Sequence, residues 1–182
     1  MEPIYTQRLA LRALRETDVD DIINNMNHKG QNTHLPGAPF PYEKKDAEWF
    51  INKFKNQDLK SKRVEWAIEY EGVVVGACNL HLIKQDCRNC CLGYAIGKPH
   101  AGQGFATEAA TGLLKYAFEE LNMHYVRAEV FEGNIGSLKV LEKIGFVKEG
   151  FSPEHTYHQQ RYLDQHQLGI RKEEFYETNN NK

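Results

Sequence analysis

Lys98-Pro99-His100-Ala101-Gly102-Gln103-Gly104-Phe105-Ala106-Thr107 is the stretch on which the reading of this chain turns. It leaves the apolar segment Cys90 to Ile96, which predicts a strand central in a sheet. It enters a run in which Ala106, Ala109, Ala110, Leu113, Leu114, Ala117, Phe118 and Leu121 recur at spacings of three and one. That is the apolar stripe of a long helix. Gly102 and Gly104 let the backbone come close to a ligand. The first-turn amides of a helix have no internal acceptor, and the helix dipole adds positive potential at that end. Between Lys98 and Glu108 there is no acidic residue, and Lys98 and His100 flank the loop. The junction reads as a site for a phosphate or pyrophosphate.

The kind of phosphate ligand is narrowed by what is missing. A Walker loop requires Lys then Ser or Thr after its last Gly, and Phe105 and Ala106 stand there, which disfavours an NTPase. A dinucleotide fingerprint asks for a third Gly where Thr107 stands. Glu129 can imitate its ribose-binding acid, but too little chain follows Gly102 for two mononucleotide-binding halves. Hydride transfer is disfavoured on that ground.

The chain has 182 residues, 41% hydrophobic, with 9 Tyr, 9 Phe and 2 Trp, enough for one domain with a substantial core and too apolar for global disorder. Its 23 basic and 25 acidic residues give a net charge of −2, so no basic field holds nucleic acid. Met1 to Tyr5 lacks the features of a signal peptide. The longest apolar runs, Val73 to Cys78 and Cys90 to Gly97, fall short of the roughly 18–20 residues that span a bilayer. A cytoplasmic protein with reduced thiols and no membrane partner is expected. Cys87-x-x-Cys90 has zinc-ligand spacing near His81, but no second ligand pair follows. No metal is expected, and the thiols read as a hairpin tip followed by buried strand residues.

Outward from the loop, the elements predict a mixed α/β fold rather than a doubly wound one. Ile4 to Leu14 alternates as a strand, and Thr17 is placed to cap a helix running to about Met26. Gly30 to Pro41 is a loop broken by prolines, and Tyr42 to Gln57 is an amphipathic helix. Val64–Tyr70 and Val73–Ile83 form a hairpin turning at Glu71-Gly72. Tyr125 to Phe131 is a strand, Leu138 to Ile144 a short helix ended by Gly145, and Phe146 to Phe151 and Tyr157 to Arg171 further strands. Residues 1–176 read as one domain and 177–182 as a frayed tail.

At three places the sequence resembles the GCN5-related N-acetyltransferase (GNAT) superfamily. Gly102-Gln103-Gly104-Phe105-Ala106-Thr107-Glu108-Ala109 is similar to its acetyl-CoA pyrophosphate loop, and Asn134-Ile135-Gly136-Ser137 with Leu141-Glu142-Lys143-Ile144-Gly145-Phe146 to its second signature. Thr6-Gln7-Arg8-Leu9-Ala10-Leu11-Arg12 resembles the opening of the RimJ/RimL-like branch, which includes ribosomal-protein N-terminal acetyltransferases. There are two departures. Ala101 stands where the family loop begins with a polar residue, and Leu141 stands where many members carry the Tyr that protonates the departing thiolate.

The resemblance implies a mostly antiparallel sheet with one splayed parallel pair, Cys90–Ile96 beside Tyr125–Phe131, flanked by about four helices. It implies acetyl-CoA as co-substrate, held by Ala101 to Thr107, by the strand amides of Tyr94, Ala95 and Ile96 as an added strand would be, and by Asn134. An N–H near Ala95 or Ile96 would serve as oxyanion donor. Ser137 is the candidate acid, or equally the N-cap of the helix after it, or both. Glu129, Glu65 and His81 are candidate bases, since an amine of pKa about 8 or about 10.4 must lose a proton before it attacks. His81 and Trp66 are candidates on the acceptor side; Trp49 and Trp66 can stack on a ligand or fill the core. Asp18, Asp20 and Asp21 can attract a basic peptide or solvate a helix start. The acceptor is expected to be an amine, with a protein N-terminus leading, and the protein a monomer or homodimer. A cysteine acyl carrier, or a non-catalytic acyl-CoA-binding module on the same fold, is the competing reading.

Overall fold

The computed structural model of the chain describes residues 2–57 and 61–180, with side chains through 178. In chain order the elements are β1 (Ile4–Tyr5), β2 (Leu9–Arg12), α1 (Val19–Met26), α2 (Lys44–Phe54), β3 (Arg63–Tyr70), β4 (Val73–Lys84), β5 (Asn89–Ile96), α3 (Phe105–Glu119), β6 (Tyr125–Phe131), α4 (Ile135–Ile144), β7 (Val147–His158), β8 (Arg161–Arg171) and α5 (Lys172–Asn180). The strands form one sheet in the order β1-β2-β3-β4-β5-β6-β8-β7. Every pairing is antiparallel except β5 with β6, which is parallel. Among the described residues no helix is long and apolar enough to cross a membrane.

Helix α3 packs its stripe on one face of the sheet. Phe105, Ala109, Ala110, Leu113, Leu114, Ala117 and Phe118 are buried with Val64, Trp66, Ile68, Leu80, Cys90 and Leu92 from the strands. Each fully buried large apolar side chain contributes roughly 1.5–3 kcal/mol, which fixes the start of α3 relative to the end of β5. The opposite face carries α1 and α2, whose Ile22, Ala47, Ile51 and Phe54 pack with Leu14, Ala67 and Val74. At the β3–β4 turn Glu71 and Gly72 both have positive φ, 49° and 83°, the geometry of the expected two-residue hairpin.

The described residues hold five helices, in keeping with the about four that the resemblance implied. Several local expectations are corrected. The fifth, α5, is anchored by Phe175, fully buried against Phe118, and runs through Asn180, where a frayed tail from Glu177 was expected. Residues 181–182 lie outside the described part. Thr17 does not cap α1: it lies inside a 3-10 turn, Glu16–Asp18, and Asp18 is the residue before the helix. Asp18 is 3% exposed. It receives the Arg12 guanidinium at 2.8 and 2.9 Å and the Arg15 amide at 2.8 Å. Asp21 accepts the Val74 amide at 2.8 Å. Two of the three aspartates considered for a basic peptide are therefore spent on the fold. Phe146 to Phe151 and Tyr157 to Arg171 resolve into two long strands, β7 extending to His158.

Candidate active site

The parallel pair opens into a V. Register runs Asn89↔Tyr125, Cys90↔Val126, Cys91↔Arg127, Leu92↔Ala128 and stops. Beyond it, Gly93 to Ile96 stay paired to β4 and Glu129 to Phe131 to β8, so the facing edges lack a strand partner. Tyr94, Ala95 and Ile96 therefore lie on the open edge of β5. The Ile96 carbonyl is taken by Gln31 Nε2 at 3.1 Å.

The glycine loop sits where β5 ends. A 3-10 turn, Lys98–His100, leads through extended Ala101 to Gly102 and Gly104, at φ +80° and +82°. L-residues with a side chain rarely adopt that region, which explains glycine at both. The Ala101 amide bonds the Lys98 carbonyl, and the first bond of α3 runs from the Glu108 amide to Gly104 at 3.0 Å. Among the described residues this leaves the amides of Gly102, Gln103, Gly104, Phe105, Ala106 and Thr107 without a main-chain acceptor. They form a cradle of donors at the positive end of a 15-residue helix. Lys98 is turned away, its Nζ donating to the Lys29 carbonyl.

Helix α4 closes the V from the α3 side of the sheet. Its N-cap is Asn134, whose Oδ1 accepts the Ser137 amide at 3.2 Å. Ser137 lies inside the first turn, so of the two roles read for it, acid and cap, the cap falls to Asn134. Asn134, expected on the cofactor arm, spends its carbonyl oxygen on that cap. Leu141 is 1% exposed in the core, so no phenol enters from that position. Instead Tyr94 reaches from β5 to α4, its Oη donating to the Ser137 carbonyl at 3.2 Å. Burial pushes the Tyr94 phenol up to about 12.

On the other face of the sheet a cavity of about 800 Å³ opens beside the V. It is lined by the proline loop from His34 to Pro39, by Tyr42, Trp49, Phe50, Lys53 and Phe54, and by Arg63, Glu65, Asn79, His81, Gly93 and Phe131. Strand register sets its polar floor, with Glu65 opposite Asn79 and Arg63 opposite His81. Arg63 holds Glu65 Oε2 through Nε at 3.0 Å and Nη2 at 2.8 Å. Asn79 Nδ2 donates to Glu65 Oε1 at 3.3 Å, and Asn79 Oδ1 lies 2.8 Å from His81 Nδ1. An amide that donates to the carboxylate presents its oxygen to the imidazole. His81 therefore carries its proton on Nδ1 and leaves Nε2 as the basic atom. Burial, with Arg63 nearby, lowers the His81 pKa below 6.5, so the ring is neutral at neutral pH. Burial raises the Glu65 carboxyl above its usual range, although Arg63 and Asn79 oppose the shift. Gly93 makes room for Asn79: a Cβ there would lie 3.0 Å from Asn79 Oδ1.

The remaining candidates separate. Glu129 is exposed on β6, one residue past the last β5–β6 pair, within 3.4 Å of Gln165 Nε2. It does not line the cavity, but its charge reaches His81, where it opposes the lowering of the imidazole pKa. Trp66 is fully buried on the α3 side, edge-on to Tyr116 at 5.8 Å; it does not reach the acceptor cavity, and Trp49, 61% exposed, lines it instead. Burial pushes the Cys90 and Cys91 thiols up to about 12, which leaves little thiolate to carry an acyl group. Sequence reasoning missed Arg63, Asn79 and the reach of Tyr94. The signal for the first two was present: Arg-x-Glu and Asn-x-His place polar residues at alternate positions of two otherwise apolar strands.

Residues 8–147 match the acetyltransferase (GNAT) domain family. The uncharacterized N-acetyltransferase p20 of Bacillus licheniformis is 28% identical over 177 residues, 96% of this chain and 99% of that one. The [ribosomal protein uS5]-alanine N-acetyltransferase of Escherichia coli is 29% identical over 86 residues, 47% of this chain and 44% of that protein. Spermidine N-acetyltransferase from Vibrio cholerae, solved with CoA and spermine, superimposes with a TM-score of 0.77 at 26% identity, covering 92% of this chain and 98% of that one. With a matching domain over most of its length, the chain belongs to the GNAT acetyltransferase family.

Proposed function

We propose that this enzyme moves an acetyl group from acetyl-CoA to the α-amine of a protein or peptide N-terminus in the cytoplasm, by direct transfer in a ternary complex. The observation that carries the reading is the junction of three features: the donor cradle at Gly102–Thr107, the open V between β5 and β6, and the cavity with a neutral imidazole on its wall. The co-substrate supplies an activated thioester; the rest of the chemistry falls to this chain's residues. The loop amides hold the diphosphate, and the free edge of β5 at Tyr94 to Ile96 pairs with the pantetheine arm. An amide near Ala95 or Ile96 polarises the acyl carbonyl.

His81 Nε2 takes the proton of the incoming amine, with Asn79 and Glu65 fixing the tautomer and stabilising the imidazolium that forms. Glu129, exposed at the mouth of the V, attracts the ammonium form of the acceptor. Ser137 donates a proton to the departing thiolate, in a helix turn held by Asn134 and Tyr94.

The cavity charges favour a peptide over a polyamine. Lys53 and Arg63 stand against Asp46 and Glu65, and both carboxylates are spent, Asp46 on the Glu43 amide at 2.8 Å and Glu65 on Arg63. The E. coli relative acts on a ribosomal protein's alanine by its name, which supports the same class. The test is an acceptor screen that follows thiol release from acetyl-CoA, with ribosomal-protein N-terminal peptides, spermidine and aminoglycosides. Peptides are expected to exceed spermidine at least tenfold in kcat/KM. A polyamine or aminoglycoside preference would overturn the acceptor, and acetyl-CoA binding without thiol release on any amine would indicate a non-catalytic module.

A further inference from the structure

We propose that Arg8 is a phosphate-binding residue: its guanidinium supplies the charged arm of the cradle at the start of α3 and grips a phosphate of coenzyme A. The proposal rests on the reading of the Gly102–Thr107 loop as the diphosphate site. Arg8 lies between β1 and β2, far from the loop in sequence. The fold brings it to the first turn of α3, where Glu108 Oε1 accepts the Arg8 amide at 2.6 Å and Thr6 Oγ1 at 2.7 Å, and Oε2 accepts Arg8 Nε at 2.7 Å. The guanidinium carbon sits 4.8 Å from the centre of the Phe105 ring. Two contacts, to Glu108 and to the Phe105 ring, therefore hold the side chain before any ligand arrives, while the Arg8 amide and Thr6 fix the carboxylate. Of the side-chain donors they consume only Nε. Among the described residues neither Nη atom has a hydrogen-bond partner, and Nη2 lies 3.4 Å from the point where a Cβ on Gly104 would stand.

Two features of the loop give this placement its purpose. The family loop opens on a polar side chain, and here that place is Ala101, while Lys98 is committed to the Lys29 carbonyl. The loop thus has amides but no uncommitted lysine or arginine of its own. Glu108 would also oppose a phosphate from inside the first turn of α3. Arg8 pairs with that carboxylate and offers the unspent side of a planar fork that suits phosphate oxygens.

The competing role is a staple that only ties the N-terminal hairpin to α3. Calorimetric titration of coenzyme A into the wild type, Arg8→Gln, Arg8→Lys and Glu108→Gln separates the two. As a ligand, Arg8→Gln weakens coenzyme A about 10- to 100-fold, Arg8→Lys recovers most of the affinity, and Glu108→Gln, which weakens the staple but keeps the cation, loses clearly less than Arg8→Gln. The salt dependence of Kd is shallower in Arg8→Gln than in the wild type, because one phosphate-facing charge is gone. Equal losses in Arg8→Gln and Glu108→Gln with parallel salt slopes would make Arg8 a staple only. Unchanged affinity in Arg8→Gln would remove it from the site. A wild type that binds no coenzyme A would overturn the loop reading itself, a result distinct from both.

Discussion

Gly104→Val tests the loop. At φ +82° and ψ 0° a β-branched residue costs about 1–3 kcal/mol of strain, less than the roughly 5–15 kcal/mol that holds a domain together. A Cβ at Gly104 meets only Arg8 Nη2, at an ordinary 3.4 Å, so no collision with the core adds to the cost. The variant is expected to fold and to escape its strain by turning φ negative. That rotation re-aims the amides on either side of residue 104. Losing two charge-assisted hydrogen bonds, at about 1.5–3 kcal/mol each, predicts a Kd for coenzyme A roughly 10²- to 10⁴-fold weaker. Gly102, where a Cβ would meet nothing within 4 Å, provides the graded comparison, and Gly102→Ala should lose less. The assay is calorimetric titration beside a thermal melt. A folded Gly104→Val protein with wild-type affinity would refute the reasoning.

Ser137→Ala should lower kcat about 10²-fold while its affinity for acetyl-CoA, read by titration, stays within twofold; an unchanged kcat removes Ser137 as the acid. Because the His81 pKa is lowered and its neutral form is the base, kcat/KM should fall as pH drops through a value below 6.5, and His81→Gln should abolish that acid limb; an identical limb in the variant contradicts the assignment. The Glu65 carboxyl is raised by burial, so the folded chain binds this proton more tightly than the unfolded chain does. Its contribution to stability is present at low pH and is lost as pH climbs from the ordinary carboxylate value through the raised one. Glu65→Gln should therefore melt no lower than wild type at pH 7 while losing about 10- to 100-fold in kcat; a large drop in Tm would show that the pair with Arg63 outweighs the burial.

The fold was legible wherever one periodicity dominated. The stripe from Ala106 to Leu121 gave α3 to within a residue or two at either end, and Tyr125 to Phe131 matches β6. The parallel pair and its V were not written in spacing; they came through resemblance, because strand order is a long-range property. Local polar chemistry misled at the caps. Thr17 and Ser137 are both good cap residues in isolation, yet the buried Arg12–Asp18 pair settles the entry to α1, and Asn134 outcompetes Ser137 by standing three residues earlier. Helix α5 escaped notice because Phe175 and Tyr176 are the only apolar residues in its sequence, too few to make a stripe. Trp66 was weighed as a ligand partner although its neighbours Val64 and Ile68 share its face, and that alternation already pointed to the core. The cavity floor was half legible: His81 and Glu65 stood out singly, but their connection runs through Asn79 and depends on the Glu65↔Asn79 register, which a sequence does not reveal.

One claim supports the rest, that the amides from Gly102 to Thr107 grip the diphosphate. It is tested most directly by following backbone amide resonances of a ¹⁵N-labelled chain while coenzyme A is added. The largest saturable shifts are expected at Gly102, Gly104, Phe105, Ala106 and Thr107, with smaller ones along Tyr94 to Ile96. Coenzyme A that binds while those loop amides stay unmoved would contradict it.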